Sequence, residues 1–257
     1  GDTVTIDPTT DLSTSTGYYL EIDSGAIEDT SGNAYLGFSG NSTLNFETGS
    51  PATTDPSATL LITGVFDGPL SGGTPKGIEL YATGDIADLS AYGVGTANNG
   101  GGTDGSEFTL SGSATAGDYI YVVASGNDDE FTSFFGGSAT FTSGALGING
   151  DDAIELFSLA GGAPSVIDTF GDINVDGNGE AWEYMDGWAY RTGGTAGAFN
   201  ISDWSFSGPN AFDGATTNAG ATSVMPIGTY SDGSEPSEPS EPDVTAPLLT
   251  SSSPADD

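Results

Sequence analysis

The chain has no cysteine and no histidine, and only Lys76 and Arg191 are basic among its 257 residues. Each absence excludes chemistry. Without cysteine no disulfide can hold the fold, and cysteine usage says nothing about the redox compartment. Without histidine or cysteine there is no Ser–His or Cys–His nucleophile pair and no zinc site built on those ligands. The 37 acidic residues leave a formal net charge of −35. That excludes sequence-independent binding to nucleic acid, which needs basic surface against phosphates, and disfavours anionic membranes. No apolar run approaches the ~18 residues of a membrane-spanning helix, and no secretory leader is recognisable. Helix-favouring Leu, Lys, Arg and Glu are scarce, whereas Gly, Ser and Thr abound, so the composition reads as all-β. A pair of carboxylates could in principle hydrolyse a glycosidic bond. Among 37 acids, however, any two neighbours look like a pair, and no enzymatic activity is expected.

The most informative stretch is Asp172-Ile-Asn-Val-Asp-Gly-Asn-Gly-Glu-Ala-Trp-Glu183. Oxygen-bearing side chains stand at Asp172, Asn174, Asp176, Asn178 and Glu180. Gly177 follows the third of them, and Glu183 closes the twelve-residue window, which completes the pattern D-x-[DN]-x-[DN]-G-x5-E. Calcium takes six to eight oxygens at about 2.3–2.6 Å, so one loop must curl and aim alternate side chains inward. In that reading Gly177 permits the sharp turn and Glu183 offers both oxygens at once. The eighth position is Gly179 rather than an aliphatic residue, and the flanks, Val166–Phe170 and Trp182–Tyr190, are β-prone rather than helical. The spacing therefore predicts a Ca2+ loop inserted in a β-domain; the alternative is a polar turn rich in Gly and Asn. Asp128-Asp129-Glu130 and Asp151-Asp152 are further oxygen clusters, readable as solvated charge or as cation ligands. Asp23, Asp29 and Asn33 could likewise hold a cation or make Asx turns.

Residues 1–49 hold three short β-like runs, Thr3–Ile6, Tyr18–Ile22 and Thr43–Phe46, too few for a stable sandwich. Residues 50–57 read as a linker interrupted by Pro51 and Pro56. Residues 58–230 read as the main domain, with strand-like runs at Thr59–Phe66, Gly77–Ala82, Glu107–Leu110, Tyr119–Ala124, Ala153–Phe157 and Val166–Phe170. Alternation in Ile78-Glu79-Leu80-Tyr81 and Ile154-Glu155-Leu156-Phe157 predicts one apolar and one wet face. The expected core is Ile62, Val65, Ile78, Leu80, Ile120, Val122, Ile154, Leu156 and Ile167. A helix is expected only at Asp128–Phe135. Trp182, Tyr184, Trp188, Tyr190 and Trp204 are read as core packing or as a sugar-stacking platform. Arg191, beside them, is expected to stack on a ring or pair with a carboxylate. Residues 231–242 carry three Ser-Glu-Pro triplets, an extended spacer at ~3.1 Å per residue.

Two resemblances organise these pieces. Tyr18 to Tyr35 followed by Leu-Asn-Phe-Glu-Thr (44–48) resembles the closing half of bacterial Ig-like domains of the surface-layer type. Residues 243–257 resemble the opening strand of the same family. Gly-Ile-Glu-Leu-Tyr (77–81), Asp-Leu-Ser-Ala-Tyr (88–92), Ala-Gly-Asp-Tyr-Ile-Tyr-Val-Val (116–123), Asn-Gly-Asp-Asp-Ala-Ile-Glu-Leu-Phe (149–157) and Val-Ile-Asp-Thr-Phe-Gly (166–171) together resemble the lamin-tail domain. This resemblance implies an Ig-like β-sandwich for 58–230, an accessory module without catalytic residues. The implied whole is a structural or adhesive segment of a secreted, repetitive cell-surface or filament-forming protein, cut from a longer chain and stabilised by calcium. The expected partners are neighbouring copies of the same module, continuous within one repeating chain or donated between subunits by strand complementation. The alternative is a carbohydrate- or protein-binding accessory module of a secreted hydrolase or nuclease, with a polysaccharide as a possible ligand.

Overall fold

The computed structural model describes residues 16–28, 32–47 and 59–232. The linker at 50–57, the run Thr3–Ile6, Asp29, the Ser-Glu-Pro triplets and the 243–257 tail lie outside the described residues. The chain divides into two compact units, residues 1–54 and 55–257.

In the smaller unit, β1 (Gly17–Tyr19) pairs antiparallel with β2 (Asn45–Glu47), with Tyr18 opposite Phe46. Their rings stack at 5.9 Å. The ladder continues through Leu20, whose N–H donates to the Leu44 carbonyl. Alternation puts Tyr18, Leu20, Leu44 and Phe46 on one face. That face is open: Phe46 is 47% and Leu44 46% exposed.

Among the described residues the larger unit is an all-β sandwich to which one eight-residue α-helix is added. One sheet has four strands in the order β10-β9-β5-β6, and the other has six in the order β12-β11-β3-β4-β7-β8. The first comprises β5 (Tyr92–Ala97), β6 (Phe108–Thr109), β9 (Ala153–Ser158) and β10 (Ser165–Phe170). The second comprises β3 (Leu60–Asp67), β4 (Gly77–Ala82), β7 (Tyr119–Ala124), β8 (Phe141–Ser143), β11 (Gly187–Arg191) and β12 (Trp204–Phe206). Pairing is antiparallel except between β7 and β8. Strand β5, Tyr-Gly-Val-Gly-Thr-Ala, escapes the sequence reading because two glycines break its apolar alternation; only its neighbours β6 and β9 make it a strand. Eight of the nine expected core residues are buried. Ile167 is only half-buried, because a bulge between Val166 and Asp168 shifts β10 against β9.

The expectation of wet outer faces is overturned. Glu79 and Glu155 are as buried as the aliphatics that flank them. On the six-stranded sheet, Leu61, Phe66, Tyr81, Val123, Trp188 and Tyr190 build a second core. Its cover is helix α1 (Asp128–Phe135), through Phe131 and Phe134, together with Phe212, Met225 and Tyr230 of the C-terminal strap. Helix α1 forms where expected. Asp128, Asp129 and Glu130 stand in its first turn, where carboxylates favour the positive end of the helix dipole. Gly136 ends it in the left-handed conformation at φ 82°. Alternation along one strand tells two faces apart, but it does not say whether a later segment returns to cover the polar one.

Buried polar groups staple these layers. Glu79 accepts from the hydroxyl of Thr63, the extra residue of a bulge in β3, and from the Gly228 N–H of the strap. Tyr190 Oη accepts from the Thr229 and Tyr230 N–H groups beside it. Between the sheets, Arg191 of β11 donates from Nη2 to both Asp168 oxygens of β10, each at 2.8 Å, and from Nε to the Ile62 carbonyl of β3 at 2.7 Å. Asp168 also accepts from the Ile62 and Gly197 N–H groups. The guanidinium stands 4.8 Å over the Trp204 ring. The chain's single arginine therefore both stacks and pairs.

Candidate functional site

The 172–183 loop leaves β10 and returns toward β11. Its side chains first organise its own backbone. Asp172 Oδ1 accepts from the Asn174 N–H at 2.9 Å, and Asp176 Oδ1 from the Asn178 N–H at 3.0 Å, two successive Asx turns. Glu183 Oε2 accepts from the Gly179 N–H at 3.0 Å, closing the loop across four residues. Asp172, Asn174, Asp176, Asn178 and Glu180 are exposed, and Glu183 is half-buried. Among the described residues no three acidic side chains stand close enough to share a metal ion. The six predicted ligands thus lie on one loop, but their oxygens do not converge.

The glycines play other parts than the motif assigns. Gly179, not Gly177, takes the left-handed turn, at φ 81°. Gly177 is required by contact: its N–H donates to the Asp151 carbonyl at 3.0 Å. A Cβ there would meet the Trp182 ring at 2.6 Å and the Asp151 carbonyl oxygen at 2.7 Å. Gly177→Ala is therefore expected to destabilise the larger unit by about 1–3 kcal/mol through overpacking, read as a lower thermal midpoint. A neutral effect would show that the loop stands off the domain.

What Gly177 packs on is the 149–152 turn. The Tyr184 N–H donates to the Gly150 carbonyl at 2.8 Å, and Tyr184 Oη to the Asp152 carbonyl at 2.9 Å. A third segment closes in, as the Gly102 N–H donates to the Ile173 carbonyl at 2.8 Å. Asp151 and Asp152 are not the solvated charges that one reading of the sequence allowed, being 8% and 1% exposed. Asp152 is satisfied by the N–H groups of Asn99 and Asn149. Asp151 is not: its Oδ1 is buried without a partner. Burial pushes its carboxyl up, and the charges of Asp152, Asp176 and Glu183 push it further. An unanswered buried acceptor costs roughly 1–3 kcal/mol, and neither basic side chain is there to answer it. Lys76 pairs with Asp67 at 3.5 Å and Arg191 with Asp168. The donors on the loop are all oxygen, the type a hard cation such as Ca2+ takes, but no three of the acidic ones come together among the described residues. The sequence reading weighed Asp151 but lacked the signal that singles it out, the contact with Gly177.

The aromatic residues are packing. Trp182, Trp188 and Trp204 are 4%, 6% and 7% exposed. Phe170 sits edge-on to Trp182, Tyr184, Phe199 and Trp204. No tryptophan offers an open ring for a sugar to stack on, which overturns the platform reading. Among the described residues no helix is long and apolar enough to cross a membrane. No curated protein and no solved structure matches the chain. Residues 1–48 match the family model of the bacterial Ig-like domain.

Proposed function

We propose that this chain is a structural or adhesive segment of a secreted, repetitive surface or filament protein, stiffened by Ca2+ on the 172–183 loop. The observation that carries the reading is the serial arrangement. A bacterial Ig-like match at 1–48 stands beside a β-sandwich with two cores of its own. Buried tryptophans favour this over the carbohydrate-binding accessory module. The open face of Tyr18, Leu20, Leu44 and Phe46 is the contact proposed for neighbouring copies. Val244–Thr250 of the next copy has the apolar side chains to cover it, and Pro247 would confine that strand to a sheet edge. The proposed cation ligands are Asp172, Asn174, Asp176, Asn178, Glu180 and Glu183.

The test is light scattering on the full chain and on a variant ending at residue 242, over a wide concentration range. Concentration-dependent growth by the full chain alone, abolished by Phe46→Asp, is the expected outcome. Monomers throughout, or growth that survives loss of the tail, would sink the assembly reading.

A further inference from the structure

We propose that the C-terminal strap, residues 207–230, is a tension-sensitive latch. A pull along the chain lifts it first, from its Tyr230 end, and uncovers the second core while the sandwich stays closed. This rests on the reading of the chain as a structural segment and adds to it the element that yields.

The first observation is where the chain enters and leaves the larger unit. It enters at Thr59, whose carbonyl accepts from the Thr83 N–H, and Leu60 stands opposite Ala82. The strap arrives at the same end of the sheet. Gly228 is held on Glu79, and two residues later Tyr230 packs on Tyr81, two residues further along β4. The strap therefore runs with β4 toward Ala82, beside which β3 begins. A pull that separates entry from exit loads the attachments one after another, rather than together along the strands.

The second observation is the inequality of the two anchors. Strand β3 lies inside its sheet, paired with β4 from Leu60 and with β11 from Gly64. Its Ile62 N–H and carbonyl are also held by Asp168 and Arg191. The strap contributes no strand among the described residues. Main-chain bonds fix it as far as Phe212, whose N–H donates to the Asp186 carbonyl. From there its bonds to the sheet run through side chains. Trp188 Nε1 donates to the Ser223 carbonyl at 3.0 Å, and Glu79 Oε2 accepts from the Gly228 N–H at 2.6 Å. Tyr190 Oη accepts from the Thr229 and Tyr230 N–H groups at 3.1 and 2.8 Å. Tyr119 Oη donates to the Tyr230 carbonyl. Bonds spaced in this way break singly, whereas β3 must lose two ladders.

The third observation is what stays behind. The strap supplies Phe212, Ala215, Met225 and Tyr230 to the second core, and α1 supplies Phe131 and Phe134. No strap residue belongs to the core between the sheets. Its departure therefore leaves the sandwich packed, as expected of a segment that opens below the global unfolding free energy. The same bonds re-form when tension falls, so the latch is reversible.

The lack of cysteine makes the attachment of handles unambiguous. Ser57→Cys and Ser237→Cys in the full chain carry the handles of an optical-tweezers experiment. A short first extension at low force is expected. The roughly 18 residues from Phe212 to Tyr230, at ~3.5 Å each, come to on the order of 6 nm. Rupture of the sandwich should follow at higher force and release on the order of 50 nm. Tyr190→Phe removes the acceptor of two strap N–H groups. It should make the first step open about tenfold faster at a given force and leave the large rupture unmoved. Tyr230→Ala, which removes the packing on Tyr81, is the second variant and should act in the same direction. A single rupture of the full length, or a short step that neither substitution moves, would overturn the latch. Either result leaves the scattering test of assembly untouched, so the two readings fail separately.

Discussion

Asp168→Ala is expected to lower the stability of the larger unit by about 3–5 kcal/mol, because it strands a buried guanidinium. Arg191 is 3% exposed and Asp168 fully buried, so water cannot replace the lost partner. The substitution also removes the acceptor of the Ile62 and Gly197 N–H groups. The pair spans the two sheets, β10 to β11, so the damage is to the sandwich rather than to one strand. For a unit of this size the thermal midpoint should fall on the order of 10 °C. Tryptophan fluorescence reads the larger unit alone, since Trp182, Trp188 and Trp204 all lie within it. Arg191→Lys should also lose stability, because an ammonium cannot reproduce the fork that meets Asp168 and Ile62 together. Joint replacement by Asp168→Leu and Arg191→Met should be milder than either truncation alone, since it leaves no unpaired charge. A loss below ~1 kcal/mol for Asp168→Ala would show that the pair is solvated and the sheets are held by apolar packing alone.

Mild acidification is expected to stabilise the larger unit rather than unfold it. Burial raises the carboxyl of Asp67 to about 6 from 3.8, against the pull of Lys76. Burial likewise raises Glu79, Asp152 and Glu155. A carboxyl whose folded pKa lies above its unfolded value holds its proton more tightly when folded. Stability linked to it is fully present below the unfolded pKa and is lost as pH rises through the folded one. For Asp67 that window runs from 3.8 to about 6. Its share comes to about 1 kcal/mol by pH 5 and roughly 3 kcal/mol below the window. Neutralising part of a −35 charge acts in the same direction by reducing self-repulsion. Thermal melts at constant ionic strength should therefore show a higher midpoint at pH 5 than at pH 7.5. Asp67→Asn should raise the midpoint at pH 7.5 and converge with the parent below pH 4. A midpoint that falls steadily from neutrality would mean that these carboxyls are ionised and favourably paired, and would refute the direction.

Much of the framework was legible because it is local. Alternation marks β4, β7 and β9, and the core positions Ile78, Leu80, Ile120, Val122, Ile154 and Leu156 follow from it, whereas Ile62 and Val65, three residues apart, share the inner face only because of the bulge at Thr63. The acid-rich start of α1 was equally readable. The short strands β8 and β12 were not, because three residues carry no period and their pairing is long-range.

The sequence by itself determined the all-β class, the excluded chemistries and the spacing of oxygen ligands from Asp172 to Glu183, since composition and intervals along the chain decide these. Only the tertiary structure decided which polar groups are buried. Glu79 became interior because the strap around Gly228 returns over its sheet. Trp182 became core because the loop folds back on Phe170, and Trp188 because the helix and the strap cover its side of the sheet. Asp151 became a buried carboxyl on a turn against which Gly177, twenty-six positions away, packs. Burial depends on what arrives from elsewhere in the chain, and no local pattern carries that information.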